Sequence, residues 1–109
     1  MTVGVVGLGF VGLTAAVGFA LKGQAVLGYD KDKNKLRQIS NGTVPFYEKD
    51  FNIALSEALG KGFRTTDRIE KLARESDAIF ICIGTPSTSE GADLSNLYDS
   101  VREIAGMLM

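Results

Sequence analysis

The chain has 109 residues, 45% of them hydrophobic and 23% charged, which is room for one small globular domain. Twelve Lys and Arg against 13 Asp and Glu give a formal charge of −1, with no basic block of the kind that tracks nucleic-acid phosphates. Histidine is absent and Cys82 is the single cysteine, which excludes histidine catalysis, multi-Cys metal ligation and an internal disulfide.

No charged side chain precedes Lys22. The run lacks the basic start of a signal peptide, and glycines at 4, 7, 9, 12 and 18 speak against a membrane span. It divides instead into a β-branched strand over residues 2–6 and a helix from Val11, where Leu13, Ala16, Val17, Ala20 and Leu21 recur at helical spacing. Between them lies Gly7-Leu8-Gly9-Phe10-Val11-Gly12. Residues 25–30 read as a second strand ending on an acid, Asp30. Residues 31–40 read as a polar helix with Leu36 and Ile39 inward, stopped by Asn41-Gly42. Pro45 holds its predecessor extended. A helix over 50–59 follows, with Phe51, Ala54, Leu55 and Ala58 on one face and Gly60 at its end.

Residues 63–66 form a short third strand. Asp67 is expected to N-cap the next helix, with Glu70 closing a capping box and Ile69, Leu72 and Ala73 packing. The unbroken apolar run over 78–84 reads as a parallel strand covered on both faces. A Ser/Thr-rich loop over 85–91 leads to a last helix capped by Asp93, with Leu94, Leu97, Tyr98, Val101, Ile104, Ala105 and Leu108 along one stripe. Strands alternating with helices define the α/β class. The architecture is a Rossmann-type doubly wound parallel sheet, partial, with about four strands and flanking helices in one domain over 1–109.

Glycine, 13 of 109 residues or about 12% against an average near 7%, is the compositional outlier. In the loop, Gly7 permits the tight turn, Gly9 lets backbone approach a pyrophosphate, and Gly12 lets the helix pack on the strand. The helix N-terminus then offers unpaired N–H groups to phosphates. Asp30, 18 residues after Gly12, is placed to accept the adenosine ribose hydroxyls and to repel a 2′-phosphate, favouring NAD over NADP. The plainer alternatives are a purely structural turn and a solvated acid capping residues 31–40. Lys31, Lys33 and Lys35 crowd the same corner. Thr85-Pro86-Ser87 follows the fourth strand and lies beside the cofactor if the usual switch-point rule holds, or is an ordinary turn. Cys82 sits in an apolar strand without a base and reads as an inert structural thiol. These features predict a cytoplasmic protein with no membrane and no nucleic-acid partner.

Gly7-Leu8-Gly9-Phe10-Val11-Gly12-Leu13, Asn41-Gly42 with Pro45-Phe46-Tyr47-Glu48, Thr65-Thr66-Asp67, Ser76-Asp77, and Phe80-Ile81-Cys82-Ile83-Gly84-Thr85-Pro86-Ser87 with Gly91-Ala92-Asp93-Leu94-Ser95 occur in that order. Together, over essentially the whole chain, they resemble the N-terminal domain of the UDP-glucose/GDP-mannose dehydrogenase family. The wording at 91–95 is more similar to the UDP-glucose 6-dehydrogenase branch. The resemblance implies NAD as cofactor, with Gly7, Leu8, Gly9, Phe10, Val11 and Gly12 at its pyrophosphate. It places Asp30 and the basic Lys35 at the ribose, and Ile83, Gly84, Thr85, Pro86 and Ser87 along the cofactor. Glu48 would be structural at the cofactor edge.

The family oxidises the C6 hydroxyl of a nucleotide sugar to a carboxylate in two hydride transfers to two NAD⁺. Its nucleophilic Cys motif, catalytic Lys and Asp, and substrate domain have no counterpart in these 109 residues. The expected function is therefore the NAD-binding portion of a nucleotide-sugar 6-dehydrogenase, of the UDP-glucose to UDP-glucuronate type, not catalytically competent alone. The alternative is a stand-alone dinucleotide-binding or sensing module. A different dehydrogenase with a hydroxyacid-type Rossmann domain is disfavoured by residues 45–48 and 85–87. The last helix is still apolar and in phase at Met107-Leu108-Met109, and strand 78–84 has no later strand to pair with. The expectation is a truncated domain, or a homo-oligomer that covers an apolar edge.

Overall fold

The β-branched run at the start of the chain becomes the middle of a parallel sheet. In the computed structural model, which describes residues 1–46, 48, 50–84, 87, 88, 91, 92 and 94–108, four strands share that sheet. They are β1 (Thr2–Val6), β2 (Ala25–Tyr29), β3 (Phe63–Thr66) and β4 (Ala78–Ile81), in the spatial order β3-β2-β1-β4. Val3 faces Val26 of β2 and Ala78 of β4, so β1 is paired along both edges. A strand buried on both faces needs apolar residues without alternation, which is what residues 3–6 supply.

Helices cover the two faces unequally. α1 (Phe10–Leu21), α2 (Lys33–Ser40) and α3 (Phe51–Leu59) contribute Leu13, Ala16, Leu36, Ile39, Leu55 and Ala58 to the larger core, against Val3, Val5 and Val26. α4 (Ile69–Glu75) and α5 (Ser95–Leu108) cover the other face, where Leu72 and Ile104 join Val6 and Leu27. The chain changes side between β3 and β4, the reversal that defines a doubly wound sheet. The expected fold class is what forms.

Several local expectations fail for identifiable reasons. α2 begins at Lys33 rather than at 31, because the Asp32 carboxylate accepts the N–H groups of Asn34 (3.0 Å) and Lys35 (3.1 Å) and so makes the cap. Asp30 is therefore not the capping acid. α4 begins at Ile69, so Glu70 falls one position short of where a capping box needs it. It pairs with Arg68 Nε at 2.9 Å instead, while Thr66 Oγ1 accepts the Arg68 N–H at 3.1 Å. Within the expected loop over 85–91, Ser87–Thr88 (β5) pairs antiparallel with Gly91–Ala92 (β6). Asp93, the expected cap of the last helix, lies outside the described residues.

β4 also departs from expectation. It ends at Ile81, three residues early, although the Cys82 N–H still donates to the Val6 carbonyl at 2.7 Å. It is not covered on both faces: Phe80 is 45% exposed and rests only partly on Phe19, ring to ring at 5.2 Å. Among the described strands β1 is its one neighbour. Along α5, Ile104 is buried and Leu97 half-buried, while Tyr98 and Val101 are left exposed.

Beneath Gly4, the Ser76 hydroxyl is buried with no hydrogen-bond partner among the described residues. Removing an unsatisfied buried hydroxyl relieves its desolvation. Ser76→Ala is therefore expected to leave stability unchanged or raise it by up to about 1 kcal/mol, read from the urea unfolding midpoint.

Candidate functional site

At the end of β1 the chain reverses into α1 within three residues. Gly7 takes φ +93°, a region that L side chains rarely adopt, and a Cβ there would lie 2.5 Å from the Cys82 carbonyl oxygen. Its N–H donates to the Tyr29 carbonyl at 2.8 Å. Leu8 is fully buried, its methyl groups lying over Gly28 of β2. Gly12 abuts Gly7: a Cβ on Gly12 would overlap the Gly7 carbonyl oxygen and approach Cys82 Cβ to 3.2 Å. The first turn of α1 is thereby pulled directly over the ends of β1 and β4.

Gly9 is the N-cap of α1, with no side chain satisfying the first-turn N–H groups and no acid in that turn. Helix geometry leaves those donors unpaired, with the positive end of the dipole behind them. A Cβ built on Gly9 would meet no heavy atom of the described residues within 4 Å. The loop is thus a backbone cradle with open space above it, which suits a pyrophosphate. Phe10 and Val11, the next two residues, are 55% and 68% exposed.

Asp30 follows β2 and is only 8% exposed. Its Oδ2 accepts the Leu8 N–H (2.9 Å) and the Lys35 ammonium (3.2 Å), and its Oδ1 accepts the Asp32 N–H (2.9 Å). Burial by itself would raise this carboxyl's pKa. The bonds from Asp32 and Leu8 and the charge of Lys35 outweigh burial and hold it below the ordinary aspartate range. Of the three clustered lysines, Lys33 turns to Asp67 at 3.9 Å and Lys31 is exposed, while Lys35 takes the acid.

The structure brings the loop, Asp30, Lys35 and the start of the 83–87 segment together. Ile83 is half-buried on the Val6 and Leu27 side, and its N atom lies 3.3 Å from where a Gly7 Cβ would be. Gly84 is exposed. Ser87 opens β5, whereas Thr85 and Pro86 lie outside the described residues. Glu48 is exposed. Cys82 is half-buried and desolvation pushes its thiol pKa up, which keeps it protonated and unreactive. Among the described residues no group of three acids or cysteines is placed to hold a metal, and no helix is long and apolar enough to cross a membrane.

Two contributors had escaped the sequence reading. Asp32 supplies both the cap of α2 and an N–H to Asp30, and an acid just before a polar helix was a legible signal for the first of these. Phe46 stands edge-on to Phe10 at 5.2 Å and to Phe51 at 5.5 Å, holding residues 43–46 beside the loop. The Val44 N–H adds a bond to Asn52 Oδ1 at 2.9 Å. Nothing local in the sequence announces a ring contact across 36 residues.

A parallel sheet whose central strand turns through glycines into a helix, with an acid ending the adjacent strand, defines the dinucleotide-binding class. The sequence profile of the UDP-glucose/GDP-mannose dehydrogenase family, NAD binding domain, matches residues 1–109. The chain belongs to that family, and its cofactor is NAD. It is 38% identical over 112 residues to a UDP-glucose 6-dehydrogenase of Rhizobium meliloti, covering 99% of this chain and 25% of that one. With a UDP-N-acetyl-D-mannosamine dehydrogenase of Pyrococcus horikoshii it shares 35% over 109 residues, 99% of this chain and 26% of the other. A crystal structure of a ternary complex of GDP-mannose dehydrogenase from Pseudomonas aeruginosa superimposes with a TM-score of 0.88 at 33% identity, over 95% of this chain and 24% of that one. The chain spans about a quarter of the length of these relatives.

Two outcomes are expected from the site's construction. Gly12→Ala should lower stability by about 2 kcal/mol or more in urea unfolding, since backbone is what its Cβ would strike. Asp30, with its folded pKa depressed, contributes stability that is complete above about pH 4 and is lost as pH falls through the folded value. In Asp30→Asn the unfolding midpoint should therefore fall less steeply on acidification below that pH.

Proposed function

We propose that this chain is the NAD-binding portion of a nucleotide-sugar 6-dehydrogenase acting on a UDP-sugar of the UDP-glucose type. The single observation that carries the site is the N-terminus of α1 above Gly9, left uncapped by any side chain, where a Cβ would meet none of the described residues. Gly7, Leu8, Gly9, Phe10, Val11 and Gly12 form the pyrophosphate seat. Asp30 and Lys35 hold the adenosine ribose, and Ile83, Gly84, Thr85, Pro86 and Ser87 line the cofactor beyond it. When bound, NAD supplies a hydride acceptor. This chain's own part is to bind and orient it: loop N–H groups neutralise the phosphates, and the ionised Asp30 accepts ribose hydroxyls and repels a 2′-phosphate.

The UDP-glucose assignment is supported by the wording at 91–95 and by the Rhizobium meliloti relative. The chain does not turn over alone, because two-step oxidation through a thioester needs an activated thiol and Cys82 is held protonated. In this reading the catalytic and substrate-binding residues lie outside residues 1–109, which act as one NAD-binding domain in the cytoplasm. The bare flank of β4 at Phe80 supports self-association through that edge.

Calorimetric titration tests the binding reading directly. NAD⁺ should bind saturably and more tightly than NADP⁺. Gly9→Val should reduce NAD⁺ affinity at least about tenfold while changing stability by no more than about 1 kcal/mol. A folded wild type with no saturable NAD⁺ binding overturns the reading. Appearance of NADH absorbance with UDP-glucose and NAD⁺ overturns the statement that the chain is incompetent alone.

A further inference from the structure

Two successive amides of the glycine loop are tied to two successive residues at the end of β2. The Gly7 N–H donates to the Tyr29 carbonyl at 2.8 Å, and the Leu8 N–H donates to the side chain of Asp30 at 2.9 Å. The carboxylate thus continues the β1–β2 pairing by one bond after the main chain of the loop has left the strand direction. Asp30 is in turn immobilised from its far side, where Oδ1 accepts the Asp32 N–H at the start of α2. The next residue, Gly9, has none of the described residues packed on it.

We propose that Asp30 is the clasp that shapes the glycine loop before any cofactor arrives, so that a bare pyrophosphate depends on a carboxylate it does not touch. This rests on the reading of residues 7–12 as the pyrophosphate seat. A carboxylate near an anion site opposes the anion through space, and its removal would ordinarily strengthen anion binding. Lys35 at 3.2 Å partly offsets that charge, so the repulsion is weaker at the amides of the loop than for a phosphate set directly against the carboxylate. The lost acceptor matters more. Without it the Leu8 amide is left buried and unpaired, and the loop relaxes to find it another partner. The clasp therefore reverses the sign expected from charge alone.

Inorganic pyrophosphate, which has no ribose, is the probe, titrated calorimetrically into the wild-type chain, Asp30→Ala and Asp30→Asn. Asp30→Ala should bind it about three- to tenfold more weakly than wild type. Asp30→Asn, whose one side-chain carbonyl can still accept from Leu8 although its NH2 then faces the Asp32 N–H, should bind it more tightly than Asp30→Ala. Amide hydrogen exchange supplies a second readout. The Leu8 amide should be protected in wild type and Asp30→Asn and exposed in Asp30→Ala, with Val5 in β1 protected in all three. Pyrophosphate binding by Asp30→Ala equal to or tighter than wild type overturns the clasp. So does an unprotected Leu8 amide in wild type, which needs no variant to fold. A wild type that binds neither pyrophosphate nor NAD⁺ overturns the reading of the seat itself, whereas intact NAD⁺ binding with an unaffected Asp30→Ala overturns the clasp alone.

Discussion

The close approach of Gly12 to the Gly7 carbonyl is the constraint on which the rest of the site depends. With no side chain at either position, the first turn of α1 settles directly onto the end of β1. That places the unpaired amides of the helix over the sheet's central strand, flanked by the ends of β2 and β4. Any side chain at Gly12 would move α1 as a unit and separate its dipole from Asp30 and from the start of the 83–87 segment. Steric economy in one turn therefore decides where the positive end of a helix meets an acid from the next strand.

The two ionisable groups nearest that turn show how burial and bonding divide. Asp30 and Cys82 both follow strands and both lose water on folding. Asp30 is met by two N–H donors and an ammonium, and stays charged. Cys82 is met by none that lowers its pKa, and burial keeps it a neutral thiol. The same end of the sheet thus holds one carboxylate kept ionised and one thiol kept neutral. A cofactor-holding role without bond-making of its own is consistent with that pairing.

Coverage of the sheet is lopsided. The α1, α2 and α3 side closes over Val3, Val5 and Val26 but leaves Phe80 of β4 half in the open beyond Phe19, and on the other side Tyr98 and Val101 of α5 stay exposed. The binding loop lies at the well-packed centre, supported by the core below and by Phe46 and Phe51 beside it. The exposed Phe80 lies on the same face as that core support, at its β4 margin, where the ring of Phe19 from α1 meets it at 5.2 Å.

Most of the architecture was legible because it follows from local rules. Apolar runs over 2–6 and 25–29, helical periodicity from Leu13 to Leu21, and glycines spaced for a strand-to-helix turn each state their conformation within a few residues. What misled was equally local. Asp67 with Glu70 has the spacing of a capping box, yet the helix starts one residue later, Glu70 accepts from the Arg68 side chain and Thr66 Oγ1 from the Arg68 N–H, and 78–84 has the apolarity of a covered strand although β1 is its one described neighbour. By itself the sequence determined the strand–glycine–helix order and an acid at the end of β2, since backbone sterics and side-chain period act at short range. Only the tertiary structure decided what that acid does. Its donors come from Leu8, Asp32 and Lys35, and the Leu8 amide, 22 residues away, reaches it because parallel pairing lays β1 against β2.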